Sequence, residues 1–166
     1  MKGDKNLFYK LRYSGPPLKK LEITVGTGEY DGTSNWVELM FRNKEGETCK
    51  TDYLNYKRYG FSFAQSGSFI RIDANKDRWA ASALAGCTAG NFRPDEELSV
   101  QVIVTRHGWN AHWDGYALSM IKATFGNKKE HDMETVWMYT TWNPIFCDGC
   151  NEGYSSWFQL NKINSN

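Results

Sequence analysis

The chain has 166 residues and a mass of 19.1 kDa, a length that suits one domain with its own hydrophobic core. Its 20 basic and 19 acidic residues leave a net charge of +1, so a general electrostatic attraction to nucleic acid or to an anionic membrane is not expected. No apolar run approaches the roughly 20 residues that span a bilayer. The N-terminus lacks the apolar stretch of a secretory signal, so either the protein is not exported by that route or the sequence is a mature segment behind an added Met.

The first twenty residues form a basic lead, with six positive charges against one negative charge. The break at Gly15, Pro16 and Pro17 separates this lead from a mildly acidic body. We therefore expect residues 1–18 to form a basic N-terminal arm and residues 19–166 to form a single domain.

The body is predicted to be built from short strands. Leu21, Ile23 and Val25 alternate with polar residues, and residues 98–105 repeat this pattern most clearly. Asn43 to Gly46 is a hairpin signal. The predicted strands in chain order cover residues 21–25, 35–42, 47–54, 68–73, 98–105, 116–125, 135–142 and 155–160.

One segment departs from the strand pattern. Residues 79–85 are rich in alanine and are followed by Gly86, which favours one or two helical turns or an irregular strand. About eight short strands with turns at this spacing predict an all-β fold, an antiparallel two-sheet β-sandwich with one short helix near residues 79–85.

Two stretches have a familiar order. Residues 21–28 read LEITVGTG and are followed by DGTSNWVELMF at residues 31–41; later, the strand at residues 98–105 enters an aromatic loop and continues into residues 116–122. This order, over about residues 19–125, resembles that of PLAT domains, the β-sandwich modules of lipoxygenases, polycystins and alpha-toxin phospholipases. The long insert at residues 74–95 departs from the family pattern. The resemblance implies a non-catalytic module that docks to a membrane surface, lipid or protein partner through loops at one end.

The resemblance also implies contact residues and a candidate calcium site. Tyr30, Trp109 and Trp113 are expected as apolar contacts near the docking end, although Trp113 also suits a plug that closes the sandwich. Calcium is the cofactor that the resemblance suggests, and its candidate ligands are the residues Asp31, Gly32, Thr33 and Asp114. Ser34 stands where the family often has a carboxylate, and the alternative is a turn held by side-chain hydrogen bonds.

The four cysteines are Cys49, Cys87, Cys147 and Cys150. Two disulfides allow three pairings; proximity favours Cys147–Cys150, which leaves Cys49–Cys87. A zinc site of four thiolates and four reduced thiols are the alternatives. Disulfides would indicate an oxidising compartment, so we expect an extracellular or secreted protein.

The sequence indicates no reaction. His107, His112, Asp114 and His131 match no strong metal-binding spacing, and no Gly-x-Ser-x-Gly nucleophile motif is present. Three other functions stay open: a carbohydrate-binding, lectin-like sandwich, a small hydrolase that uses the histidine loop, and a secreted structural or assembly protein.

Overall fold

The computed structural model describes residues 17–26, 35–54, 67–87, 92, 94, 96–106, 116–126, 135–139, 143–145 and 151–163. Within these residues the strands are β1 (Leu18–Val25), β2 (Trp36–Asn43), β3 (Thr48–Lys50), β4 (Phe69–Asp73), β5 (Leu98–Thr105), β6 (Tyr116–Phe125), β7 (Thr135–Tyr139), β8 (Asn143–Ile145), β9 (Glu152–Tyr154) and β10 (Phe158–Ile163). The helix α1 spans Arg78–Ala83, and a 3-10 turn follows at Ala85–Cys87. The all-β prediction with one short helix near residues 79–85 is confirmed.

The strands form one antiparallel path in the order β3-β2-β5-β10-β7-β6-β1-β4, with β8 beside β6 and β9 beside β5. We call β2, β3, β5 and β9 half B, and β1, β4, β6, β7 and β8 half A. Strand β10 joins the halves, because residues from Phe158 to Leu160 pair with β5 while residues from Asn161 to Ile163 pair with β7. The predicted two-layer sandwich is thus realised as a single curled sheet.

The core lies between the two halves and follows the alternation seen in the sequence. Leu21, Ile23 and Leu39 are fully buried. The rings of Phe41 in half B and Phe125 in half A meet edge to face, 5.7 Å apart, an arrangement that aromatic pairs favour. Burying each such side chain contributes about 1.5–3 kcal/mol, so facing apolar rows hold the two layers together.

The predicted hairpin at residues 43–46 is confirmed. Gly46 has a φ of 83°, a left-handed conformation that glycine adopts without strain. The side chain of Asn43 accepts a hydrogen bond from the backbone N–H of Glu47 at 2.9 Å, as Asn often does in turns. The return strand is shorter than predicted, since only Thr48–Lys50 is regular strand.

Helix α1 and the turn after it cover the free edge of β3. Asp77 caps the helix by accepting a hydrogen bond from the N–H of Trp79 at 2.7 Å. The N–H of Asp52, just beyond β3, donates to the carbonyl of Ala83 at 2.8 Å. A disulfide between Cys49 and Cys87 joins β3 to the 3-10 turn, and a covered edge cannot pair with another chain.

The predicted N-terminal arm falls largely outside the described residues. Of the predicted arm at residues 1–18, only Pro17 and Leu18 are described, and Leu18 is the buried first residue of β1.

Candidate functional site

The strand register brings four chain connections to one end of the fold. Val25 near the end of β1 pairs with Leu118 near the start of β6, and Trp36 at the start of β2 pairs with Thr105 at the end of β5. Strand β10 pairs with both halves and runs away from this end in each of them. The paired strand ends in half A and those in half B therefore lie on the same side of the fold. The β1–β2 and β5–β6 connections therefore leave and return at the same end.

A third connection runs from β3 to β4 at this end. The N–H of Leu54 donates to the carbonyl of Val37 near the start of β2, at 2.8 Å. The N–H of Gly67 donates to the carbonyl of Gly26, just after β1, at 2.7 Å. Both anchors of the β3–β4 connection are thus held by backbone hydrogen bonds beside the first two connections.

The β8–β9 connection is the fourth. Ile145 at the end of β8 pairs with Tyr116 at the start of β6, and Glu152 at the start of β9 pairs with Thr105. Each of the four connections runs between half A and half B. We call this end the loop end, defined by the connections at residues 27–34, 55–66, 107–115 and 146–150.

The residues predicted for contact and calcium binding lie outside the described residues, but their connections share the loop end. Tyr30, Asp31, Gly32 and Thr33 belong to the β1–β2 connection, and Trp109, Trp113 and Asp114 belong to the β5–β6 connection. The described strand ends that flank these two connections lie at the same end of the fold.

The other sequence-based predictions have mixed outcomes. The Cys49–Cys87 disulfide is confirmed, with a Cα–Cα distance of 5.1 Å, whereas Cys147 and Cys150 lie outside the described residues. His107, His112 and His131 lie outside them as well. Across the described ranges, no cluster of His, Cys, Asp and Glu is arranged to hold a metal ion, and no helix is long and apolar enough to span a membrane.

A second candidate surface, which the sequence did not reveal, is the outer side of half B. Because Val37 and Leu39 point into the core, Trp36 and Glu38 point outward. Pairing then aligns Glu38 with Ile103 of β5, and Ile103 with Tyr154 of β9. We call this surface the aromatic face, defined by Trp36, Glu38, Lys50, Tyr53, Ile103, Glu152 and Tyr154.

Aromatic rings border the aromatic face on two sides. The rings of Trp36 and Tyr53 are stacked with centroids 4.5 Å apart. Across the face, Tyr154 is 54% exposed, so its ring is accessible to a ligand. Beyond the rim, the guanidinium of Arg42 lies 4.0 Å from the ring centroid of Trp157, a cation–π contact that holds this indole against the sheet.

The floor of the aromatic face pairs a nearly buried carboxylate with a half-exposed ammonium. Glu38 and Ile103 are only 6% and 2% exposed although they point away from the core. The ammonium of Lys50 lies 3.4 Å from the carboxylate of Glu38. Burial raises the pKa of Glu38; Lys50 opposes this shift, and the carboxylates of Glu152 and Asp52 add to it.

The hydroxyl of Tyr154 is tied to the same network. It donates a hydrogen bond to the carboxylate of Glu152, and this bond is the main reason that the pKa of Tyr154 is raised. The aromatic face therefore combines an exposed ring, an ion pair and fixed hydrogen-bonding groups. Such a mixture of apolar surface and oriented polar groups is typical of small-molecule sites.

Comparisons with known proteins yield a distant structural similarity. No family model matches the chain, and no curated protein matches it. The chain is similar to the crystal structure of the alpha-toxin of Clostridium perfringens isolated from avian strain SWCP, with a TM-score of 0.40 and 14% identity. The match covers 90% of this chain and 33% of the toxin chain, so the chain spans about a third of that protein's length.

Proposed function

We propose that the chain is a non-catalytic interaction module, resembling PLAT domains, that docks to a membrane surface through the loop end. The observation that supports the proposal is that the described strand ends flanking four connections, two of which carry the predicted contact residues, lie at one end of a disulfide-linked sheet. The PLAT-like sequence order at residues 21–41 adds support. The Cys49–Cys87 disulfide favours an extracellular or secreted setting.

The composition of the four connections fits a membrane interface. They contain eight aromatic residues among thirty-four, nearly a quarter, against 15% for the whole chain. Tryptophan and tyrosine favour the headgroup region, where the ring is buried and the polar atom stays hydrated. We therefore assign partial insertion of Trp109, Trp113 and Tyr30 as the docking step.

The charge of the four connections predicts how calcium affects docking. The four connections hold the acidic residues Glu29, Asp31, Asp114 and Asp148 against the basic residues Lys57 and Arg58. An acidic end is repelled by anionic lipid, and a bound calcium ion at Asp31 and Asp114 would reverse that repulsion. Calcium is thus expected to increase binding to anionic vesicles and to have little effect on neutral vesicles.

The test is co-sedimentation with phosphatidylcholine vesicles and with vesicles that also contain phosphatidylserine, in calcium and in chelator. Trp109→Ala should reduce the bound fraction several-fold. The matched control is Trp79→Ala, which removes an exposed indole from α1 and should bind like the parent protein. If the folded protein sediments with no vesicle in either condition, membrane docking is wrong, and the search turns to a protein partner.

A further inference from the structure

We propose that the aromatic face of half B, which adjoins the loop end where β2 and β9 begin, is a binding site for neutral saccharides. This site goes beyond the docking function. It rests on described residues: an accessible ring at the rim, a nearly buried carboxylate paired with a half-exposed ammonium in the floor, and hydrogen-bonding groups on the sheet.

The aromatic rings supply the apolar contacts of the proposed site. A pyranose ring has a face of C–H groups, and a flat, rigid aromatic side chain offers a large contact area to such a face. Tyr154 is more than half exposed, so its ring is accessible to such a face. The stacked pair of Trp36 and Tyr53 borders the face where β2 begins.

The floor of the aromatic face supplies the polar contacts of the proposed site. A carboxylate accepts hydrogen bonds from sugar hydroxyls, and an ammonium donates to them; such charge-assisted bonds are stronger than neutral ones. Glu38 and Lys50 provide both groups 3.4 Å apart. Gln101 lies in the next row of β5, opposite Met40, and its amide donates to the carbonyl of Ser155 at 2.9 Å. The amide is thereby oriented on the same outer side.

Other occupants fit this chemistry less well. An acyl chain would strip water from the Glu38–Lys50 pair without returning a hydrogen bond. Phosphate and sulfate groups would face the carboxylates of Glu38, Asp52 and Glu152, which already act on one another electrostatically. The centres of protein interfaces are depleted in Lys and Glu, whereas here these residues occupy the floor. A neutral saccharide can place its C–H face on the rings and hydrogen-bond to the ion pair through its hydroxyls.

The test begins with the full chain on an array of neutral, sialylated and sulfated glycans. The strongest neutral oligosaccharide is then titrated calorimetrically against the parent protein and its variants. Tyr154→Ala should weaken binding about tenfold through loss of the ring contact. Tyr154→Phe keeps the ring and should weaken binding by less than about fivefold. Glu38→Gln should also weaken binding, because it removes the charged acceptor.

The control is Phe69→Ala, which removes a ring of similar exposure, 56%, from half A and should leave the affinity unchanged. Tyr154 and Phe69 are both exposed, so neither variant threatens the fold. The proposal is overturned if no neutral glycan binds, if only anionic glycans bind, or if Tyr154→Ala binds like the parent protein. Tyr154→Ala should retain vesicle binding and Trp109→Ala should retain saccharide binding, so failure of one function is distinguishable from failure of the other.

Discussion

The two halves of the curled sheet differ in how their outer sides and free edges are built. On half A, Glu22 lies opposite Arg71 on one neighbouring strand and Lys122 on the other, a row of alternating charges typical of a solvated face. On half B, the outer side has a buried carboxylate and stacked rings, and edge strand β3 is covered by α1 and a disulfide. Half B is therefore the more constrained half, which suits a platform that must hold ligand-binding groups in place.

Removing the disulfide should cause the largest loss of stability in half B. The Cys49–Cys87 bond closes a separation of 38 residues, for which the loop-entropy model gives about 4 kcal/mol of stabilisation. Replacing both cysteines by alanine should lower the free energy of unfolding by about that amount, measured by urea denaturation. Adding reductant to the parent protein under denaturing conditions should reproduce the shift, and an unchanged midpoint would show that β3 is held without the bond.

Gly86→Ala should have the next largest effect. A Cβ at this position would lie 1.8 Å from the carbonyl oxygen of Lys50, and a backbone atom cannot move aside as a side chain can. We expect a loss of about 3 kcal/mol in the free energy of unfolding, at the upper end for overpacking. The matched control is Gly46→Ala, where the new Cβ meets open space and only the left-handed backbone is strained. It should cost about 1 kcal/mol, and a larger loss there than at Gly86 would contradict the close approach.

Much of this contrast could not be predicted from the sequence, although most of the longer strands could. The alternation of apolar and polar residues at 98–104 locates β5, because the apolar face of a half-buried strand is visible within a single short segment. The prediction for residues 155–160 is displaced from β10, because Ser155 leaves the strand pattern: its hydroxyl accepts from the N–H of Val102 and donates to the carbonyl of Ser156. Strands β8 and β9, with three residues each, are too short for a periodic signal.

The aromatic face could not be predicted from the sequence, for a different reason. Trp36 and Glu38 could be assigned to one side of their strand, but nothing local connects them to Tyr154, more than one hundred residues later. Their alignment through Ile103 depends on β9 pairing with the end of β5, a long-range register. The predicted contact residues lie instead in loop segments, where a single segment carries the whole signal.

The pH dependence of stability tests the buried carboxyl of half B. Burial raises the pKa of Glu38 above its ordinary range in the folded protein, so the folded state binds this proton more tightly than the unfolded state. The contribution of Glu38 to stability is therefore fully present below the unfolded pKa and is lost as the pH rises through the folded pKa. Between those limits, the parent protein should lose stability relative to Glu38→Gln, measured by urea denaturation at stepped pH. Parallel curves for the two proteins would mean that Glu38 is hydrated like a surface carboxyl.

The smallest effect is expected on half A. Phe69 lies at the exposed start of edge strand β4 and is 56% exposed, so Phe69→Ala should change the free energy of unfolding by less than about 0.5 kcal/mol. Its neighbour Ile70 faces the core with 7% exposure, and Ile70→Ala should cost about 2–4 kcal/mol. Thermal melts of the two variants therefore separate the outer side of half A from the core beneath it. A large loss for Phe69→Ala would show that this ring is held by contacts as strong as those on half B, and the difference between the two outer sides would then disappear.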